Sequence, residues 1–357
     1  MLVTILLGCF SVFFAYLTKY KHFKWGFKAS FILIFIFLAL RYNFGNDYKG
    51  YLQAFIDINK YETIDYFDKM NHYEPGWIFL NRIFKPYGFF AMTAVLAAIN
   101  CIIYYQLIIK YLPIKFYWLA VFLYIFNPDF MLIHSSAMRQ SIAIGLFVFS
   151  FDYLYKKDAI RYFLCIGLAY IFHTSALILL PVYLLGFVNR KINLASGIII
   201  IFIFISLFIF RNNISLNLNQ FIESYFNRYE TYEGGVKLGT GLGFVYSLIL
   251  FFFILYYDRF QQKETALLFK LSIIGFLIKP LGFIIMLIGR VGMYFTPATI
   301  IVYPILFMNL KKPVYKMIFI SLLLFMTIYS FFQFFYSEIW KTDFGSYQTI
   351  FSSPAIF

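Results

Sequence analysis

The sequence predicts an all-α, polytopic membrane protein, and three observations carry that expectation. The 357 residues are 62% hydrophobic and only 13% charged, whereas a soluble domain carries roughly 25% charged residues. Whole segments, LVTILLGCFSVFFAYL, SGIIIIFIFISLFIF, GFVYSLILFFFILYY and YKMIFISLLLFMTIYSFFQFF, are apolar on every face instead of along one stripe. Their lengths approach the ~20 residues that carry a helix across ~30 Å of hydrocarbon.

The first span is expected at about 2–18. No basic stretch precedes it and no small-residue cleavage site follows, so it reads as a span and not as a signal peptide. Basic clusters then punctuate the apolar runs: Lys19 to Lys28, Lys110/Lys115, Lys156/Lys157/Arg161, Arg190/Lys191, Arg259/Lys263/Lys270 and Lys311/Lys312/Lys316. Placed inside by the positive-inside rule, they set further spans at about 29–42, 88–109, 116–128, 140–155, 162–173, 175–188, 193–210, 241–257, 265–280, 292–309 and 315–335. That gives about 12 crossings with both termini periplasmic. Residues 162–188 read as a hairpin with His173 and Thr174 at its outer tip, and PLGFIIMLIGRV (280–291) as a candidate re-entrant segment. The chain is one transmembrane domain, 1–357, with long outer loops at about 43–87 and 211–240 and a polar outer tail. Long polar loops on one face put the functional weight there.

The net charge of +14 would suggest nucleic acid in a soluble protein; here it reads as topogenic lysine, with no nucleic-acid partner. Cys9, Cys101 and Cys165 all lie in apolar segments without metal-ligand spacing and read as buried small hydrophobes.

Charged residues near the hydrocarbon boundary are costly unless paired or facing water, so each is a functional candidate. The outer set is Arg41, Asp47, Glu74, His134, Arg139, His173, Arg211 and Arg290. In RYNFGNDYKGY (41–51), Arg41 reads either as a cation at the negative end of a helix or as a site residue. Asp47 supplies a candidate base, with Tyr48 and Tyr51 as flat rings for stacking on sugars. In HYEPGWIFLNRIF (72–84), Glu74 precedes Pro75, which suits a first helical turn; it is either a capping carboxylate or a second acid. In NPDFMLIHSSAMRQSIAIG (127–145), Arg139 and Gln140 open an apolar helix at its positive end. A bound phosphate would resolve that conflict, through helix N–H groups and the guanidinium fork. His134 reads as a boundary residue or a site residue, and His173 as a satisfied core residue or a base. Arg290 lies between glycines in LIGRVGMYF and again suits an anion. No two histidines share i, i+3 or i, i+4 spacing, so no metal is expected. There is no nucleotide-binding or hydrolase motif.

RYNFGNDYKGY, HYEPGWIFLNRIF, SAMRQSIAIGLFVFS, RYFLCIGLAYIFHTSAL, GRVGMYF and the tail FGSYQTIF together resemble the EpsG-like proteins, bacterial polysaccharide polymerases of the Wzy class, over most of the chain; 211–240 matches nothing in them. The resemblance implies a GT-C-type glycosyltransferase fold in the bacterial inner membrane and no cofactor. It implies undecaprenyl-diphosphate-linked oligosaccharides as substrates, with membrane lipids and a chain-length regulator as partners. The product would be O-antigen, capsule or exopolysaccharide. Carried over by residue, Arg41, Asp47, Glu74, Arg139, His173 and Arg290 are the functional positions. The roles expected are Asp47, Glu74 or His173 for proton transfer, and Arg41, Tyr48, Arg139, Gln140, Arg211, Arg290 and Tyr294 for the diphosphate and glycan. The rivals are a flippase or other transporter, an O-antigen ligase and a membrane acyltransferase.

Overall fold

The computed structural model describes residues 1–60, 73–188, 194–210, 263–282, 286–338 and 340–352. The chain divides into two compact units, Met1–Tyr183 with Thr327–Phe357, and Leu184–Met326. The described residues of both are mostly helical.

In the first unit the helices are α1 (Leu2–Leu17), α2 (Gly26–Ala39), α3 (Tyr48–Lys60), α4 (Pro75–Ile83), α5 (Gly88–Tyr111), α6 (Tyr117–Phe126), α7 (Met131–Ser136), α8 (Met138–Phe149), α9 (Phe151–Lys156) and α10 (Ala159–Phe172). α1 packs on α2 and α6, α2 on α5, and α8 on both α5 and α10. Rings knit α2, α5 and α6 together: Phe27 stacks on Tyr105 at 4.8 Å and meets Tyr117 at 4.3 Å. Between helices in lipid such close packing, and not release of water, is the source of attraction. Among the described residues, Lys21–Ala39, Gly88–Tyr111 and Pro313–Tyr336 are long and apolar enough to cross a membrane. Gly289–Phe295 and Pro297–Asn309, bent by 51°, count as a fourth if they form one broken span. The protein is an all-α membrane protein. Cys101 and Cys165 are buried as expected, but Cys9 is exposed.

Within the loop expected at 43–87, the described residues 43–60 and 73–87 carry two helices. Tyr48, Tyr51, Ala54, Phe55 and Ile58 are the buried face of α3, at the i, i+3, i+4 spacing of an amphipathic helix. They pack with Trp77 of α4 and with Phe89 and Met92 at the start of α5. Each fully buried side chain of this size contributes about 1.5–3 kcal/mol where it leaves water.

The tail returns to the same place. Gln348–Thr349 pairs antiparallel with Arg41–Tyr42, Arg41 opposite Thr349. Tyr347 stacks on Phe37 at 4.3 Å and donates its hydroxyl to the Phe37 carbonyl at 2.6 Å. Gly45 N–H bonds Asp343 O at 3.0 Å.

α10 breaks at His173 and a 3-10 helix runs from Thr174 to Phe187. It folds back on α10: Tyr162 donates to Leu179 O and Tyr183 to Lys157 O. The expected hairpin is therefore present. Fourteen residues at a 3-10 rise of about 2.0 Å span roughly 28 Å, against about 21 Å for an α-helix of that length, so the tighter helix compensates for a short segment.

The second unit contains α11 (Leu194–Ile209), α12 (Lys263–Gly282), α13 (Met286–Phe295), α14 (Pro297–Asn309) and the first part of α15 (Pro313–Tyr336). α12 packs on α11, α13 and α14. The expected span 241–257, the loop 211–240 and part of the candidate re-entrant segment lie outside the described residues.

Candidate active site

Glu74 is the N-cap of α4, in extended conformation (φ −68°, ψ 145°), and Pro75 opens the helix. Proline has the right φ for that position and gives up an N–H that has no partner there. The carboxylate thus starts at the positive end of a helix. His173 caps the other contributing helix: α10 ends at Phe172, and His173 turns extended (φ −155°, ψ 116°). The two ends meet because position 76 is glycine. A Cβ there would lie 2.8 Å from Ile171 Cγ2 and 2.9 Å from Ile171 O, closer than packed atoms approach.

At this junction Glu74 Oε1 lies 3.2 Å from His173 Nδ1, and Oε2 accepts from Arg139 Nη1. Arg139 is the second residue of α8, and its guanidinium also lies 5.8 Å from the Tyr51 ring and 5.7 Å from the Tyr73 ring. The side chains of Glu74 and His173 are 11% and 12% exposed. Burial alone pushes the Glu74 carboxyl up, but the His173 hydrogen bond and the Arg139 charge together hold it below the ordinary carboxylate range. The conflict between a guanidinium and the positive end of α8 is therefore met by Glu74, where the sequence had suggested a phosphate.

A second cluster gathers around Ser136. Ser136 donates to Asn46 Oδ1 and accepts from the Asp47 N–H at 3.2 Å. Gly45, at φ +121°, passes so close that a Cβ would be 3.2 Å from Ser136 Oγ. Asp47 is half-buried and its charge acts on Tyr51, so it borders the Arg139 group.

The structure gives several of the expected ligand residues partners within the protein. Arg41 is 2% exposed and its fork is committed to Leu38 O at 2.6 Å and Ser135 O at 3.1 Å. These bonds close the α2 terminus, the plainer of its two readings. Tyr48 is buried, T-shaped against Phe89 at 5.4 Å, with its hydroxyl on Arg41 O at 3.3 Å. Its ring belongs to the loop's core and is not available for stacking on sugar. Tyr51 is likewise buried, against Trp77 at 4.9 Å, so the second ring expected to stack on sugar is a core ring too. Gln140 is buried as well. His134 is buried, with Nδ1 3.1 Å from the Tyr104 hydroxyl; burial drives its imidazole down to about 3, so it stands neutral and apart from the junction. Arg290 is half-buried and Tyr294 buried in α13 of the second unit, and Arg211 lies outside the described residues. Sequence reasoning missed Tyr73, Gly76 and Ser136 as contributors; the Pro75-Gly76 pair after an acid was the readable signal for one of them.

Among the described residues no group of three or more His, Cys, Asp or Glu side chains is placed to hold a metal ion. No curated protein and no solved structure matches the chain. The family model described as the EpsG family matches residues 24–350, a stretch that includes Glu74, Arg139, His173 and the returning tail. The chain belongs to the EpsG family.

Proposed function

We propose that the chain is a polysaccharide polymerase that joins undecaprenyl-diphosphate-linked oligosaccharide repeat units at the periplasmic face of a bacterial inner membrane, building O-antigen, capsule or exopolysaccharide. The reading includes about twelve crossings, a GT-C-type arrangement and outward termini. The observation that carries it is the junction of Glu74, Arg139 and His173, three ionisable side chains from three helices, on the face assigned to the periplasm and inside the family match.

The chemistry suits such a junction. A lipid diphosphate leaves as an anion, so the reaction needs positive charge where that anion grows and a base for the acceptor hydroxyl. A preorganised guanidinium supplies the first. Arg139 donates to Glu74 and hydrogen-bonds Tyr51, and the remaining donors of its fork suit a phosphate oxygen. Asp47, half-buried beside the junction, and the Glu74–His173 pair are the available bases. Arg290, Tyr294 and Arg211 keep their assignment to the donor on the sequence alone.

The test is synthesis. Purified protein in nanodiscs, given lipid-linked repeat units, should extend them into a ladder, and Arg139→Ala should abolish the ladder while the protein stays folded. Absence of a wild-type ladder, or an unchanged one from Arg139→Ala, would overturn the reading.

A further inference from the structure

The pair formed by Glu74 and His173 says more than that both are near. We infer that His173 is the general base for the acceptor hydroxyl and Glu74 the residue that positions it. This rests on the polymerase reading and selects His173 from the three candidates Asp47, Glu74 and His173.

The geometry fixes the division of labour. Both Glu74 oxygens are engaged, one by Arg139 Nη1 and one by His173 Nδ1. An ionised carboxylate can only accept, so Nδ1 must donate to it. In the neutral ring that leaves the proton on Nδ1 and the lone pair on Nε2. This is the logic of a base oriented by a third group. The backbone enforces it: His173 sits where α10 stops and the 3-10 helix begins, and Gly76 brings the carboxylate to that stop. Glu74 itself is poorly suited to be the base, because Arg139 and His173 together stabilise its charged form.

The step balances without a further reactant. The acceptor hydroxyl gives its proton to His173 Nε2 as its oxygen bonds to C1 of the donor glycan. The C1–O bond to the diphosphate breaks, and its electron pair leaves on the lipid diphosphate. The imidazolium, held beside Glu74, then releases its proton to water. A charge generated next to a fixed carboxylate is stabilised in place, which is the contribution expected of Glu74.

The experiment measures ladder kinetics in nanodiscs with and without added imidazole. His173→Ala should lower kcat by about 100-fold to 10,000-fold, the range of general base catalysis, with KM for the lipid donor little changed. Imidazole should restore part of the rate. His173→Asn, whose amide still donates to Glu74, should keep the fold and donor KM yet show the same loss. Glu74→Gln should lower kcat with KM unchanged and gain nothing from imidazole. If His173→Asn retains kcat within about threefold, or if the His173→Ala loss lies in KM and imidazole restores nothing, His173 is not the base. An Asp47→Asn variant whose kcat loss is deeper than that of His173→Asn returns the role to Asp47. A wild-type chain that forms no ladder overturns the polymerase reading itself, a result independent of any variant, and the base assignment falls with it.

Discussion

Glu74 and Arg139, 65 positions apart, form an ion pair in which the carboxylate is 11% and the guanidinium 25% exposed. Removing one member of such a pair leaves the other charge poorly solvated, and that penalty exceeds the net worth of the pair. Arg139→Ala and Glu74→Gln should therefore each destabilise the protein, while the double variant should lose less than their sum. A coupling of about 1–3 kcal/mol is the scale for contacting residues. Thermal melts of the four proteins in one detergent measure it, and strict additivity would mean the pair is not formed.

Gly76→Ala tests the junction without touching a charge. The added methyl would press on Ile171, and overpacking costs about 1–3 kcal/mol. Relief comes only by separating α4 from α10, which moves Glu74 away from His173. The expected outcome is a lowered melting temperature with ladder synthesis reduced more than protein yield. Gly76→Ala with unaltered melting and rate would show that the helix ends meet for another reason.

The apolar runs of α5 and α15 and the basic residues between spans were legible because they record the demands of lipid directly, residue by residue. The hairpin at His173 was legible too, from basic residues at both its ends. The packing of 43–60 was harder. Its buried ring set, Tyr48, Tyr51 and Phe55, has helical spacing, but Tyr is amphipathic and the same residues suit sugar stacking. Arg41, too, reads equally well as a helix-end cation and as an anion ligand until its partners, Leu38 O and Ser135 O, are known. The pairing of Glu74 with Arg139 and His173 depends on contacts across 65 and 99 positions, which no local pattern encodes.

His134 offers a pH test that leaves the junction alone. Its imidazole is depressed to about 3 by burial, against an ordinary value near 6.5. The unfolded chain therefore takes up a proton below pH 6.5 that the folded chain refuses. The stability this residue contributes is complete above that pH and drains away as the pH falls toward 3, with a slope of up to about 1.4 kcal/mol per pH unit. His134→Asn keeps an acceptor for the Tyr104 hydroxyl and removes the titration. Between pH 6.5 and 5 its melting temperature should fall less steeply than that of the wild type. Parallel curves would mean that the wild-type imidazole is already accessible to protons.

The tail should act as a clamp on the α2 terminus, and its two main contacts rank differently. Tyr347→Phe removes only the hydroxyl bond to Phe37 O at 2.6 Å and keeps the stacked ring, so a loss of about 1 kcal/mol is expected. Phe344 is 0% exposed and sits edge-on to Phe44 at 5.1 Å and Phe334 at 4.9 Å; truncating it to alanine should cost about 3–5 kcal/mol. Because Phe44 lies three residues beyond Arg41, loosening it frees a strand that is otherwise paired with Gln348 and Thr349. Trypsin should then cut after Arg41, a bond the wild type shields by burying that side chain. Limited digestion read by mass spectrometry distinguishes the cases: cleavage after Arg41 should appear in Phe344→Ala well before it does in Tyr347→Phe, and equal rates in both would show that the ring at 344 does not hold the strand.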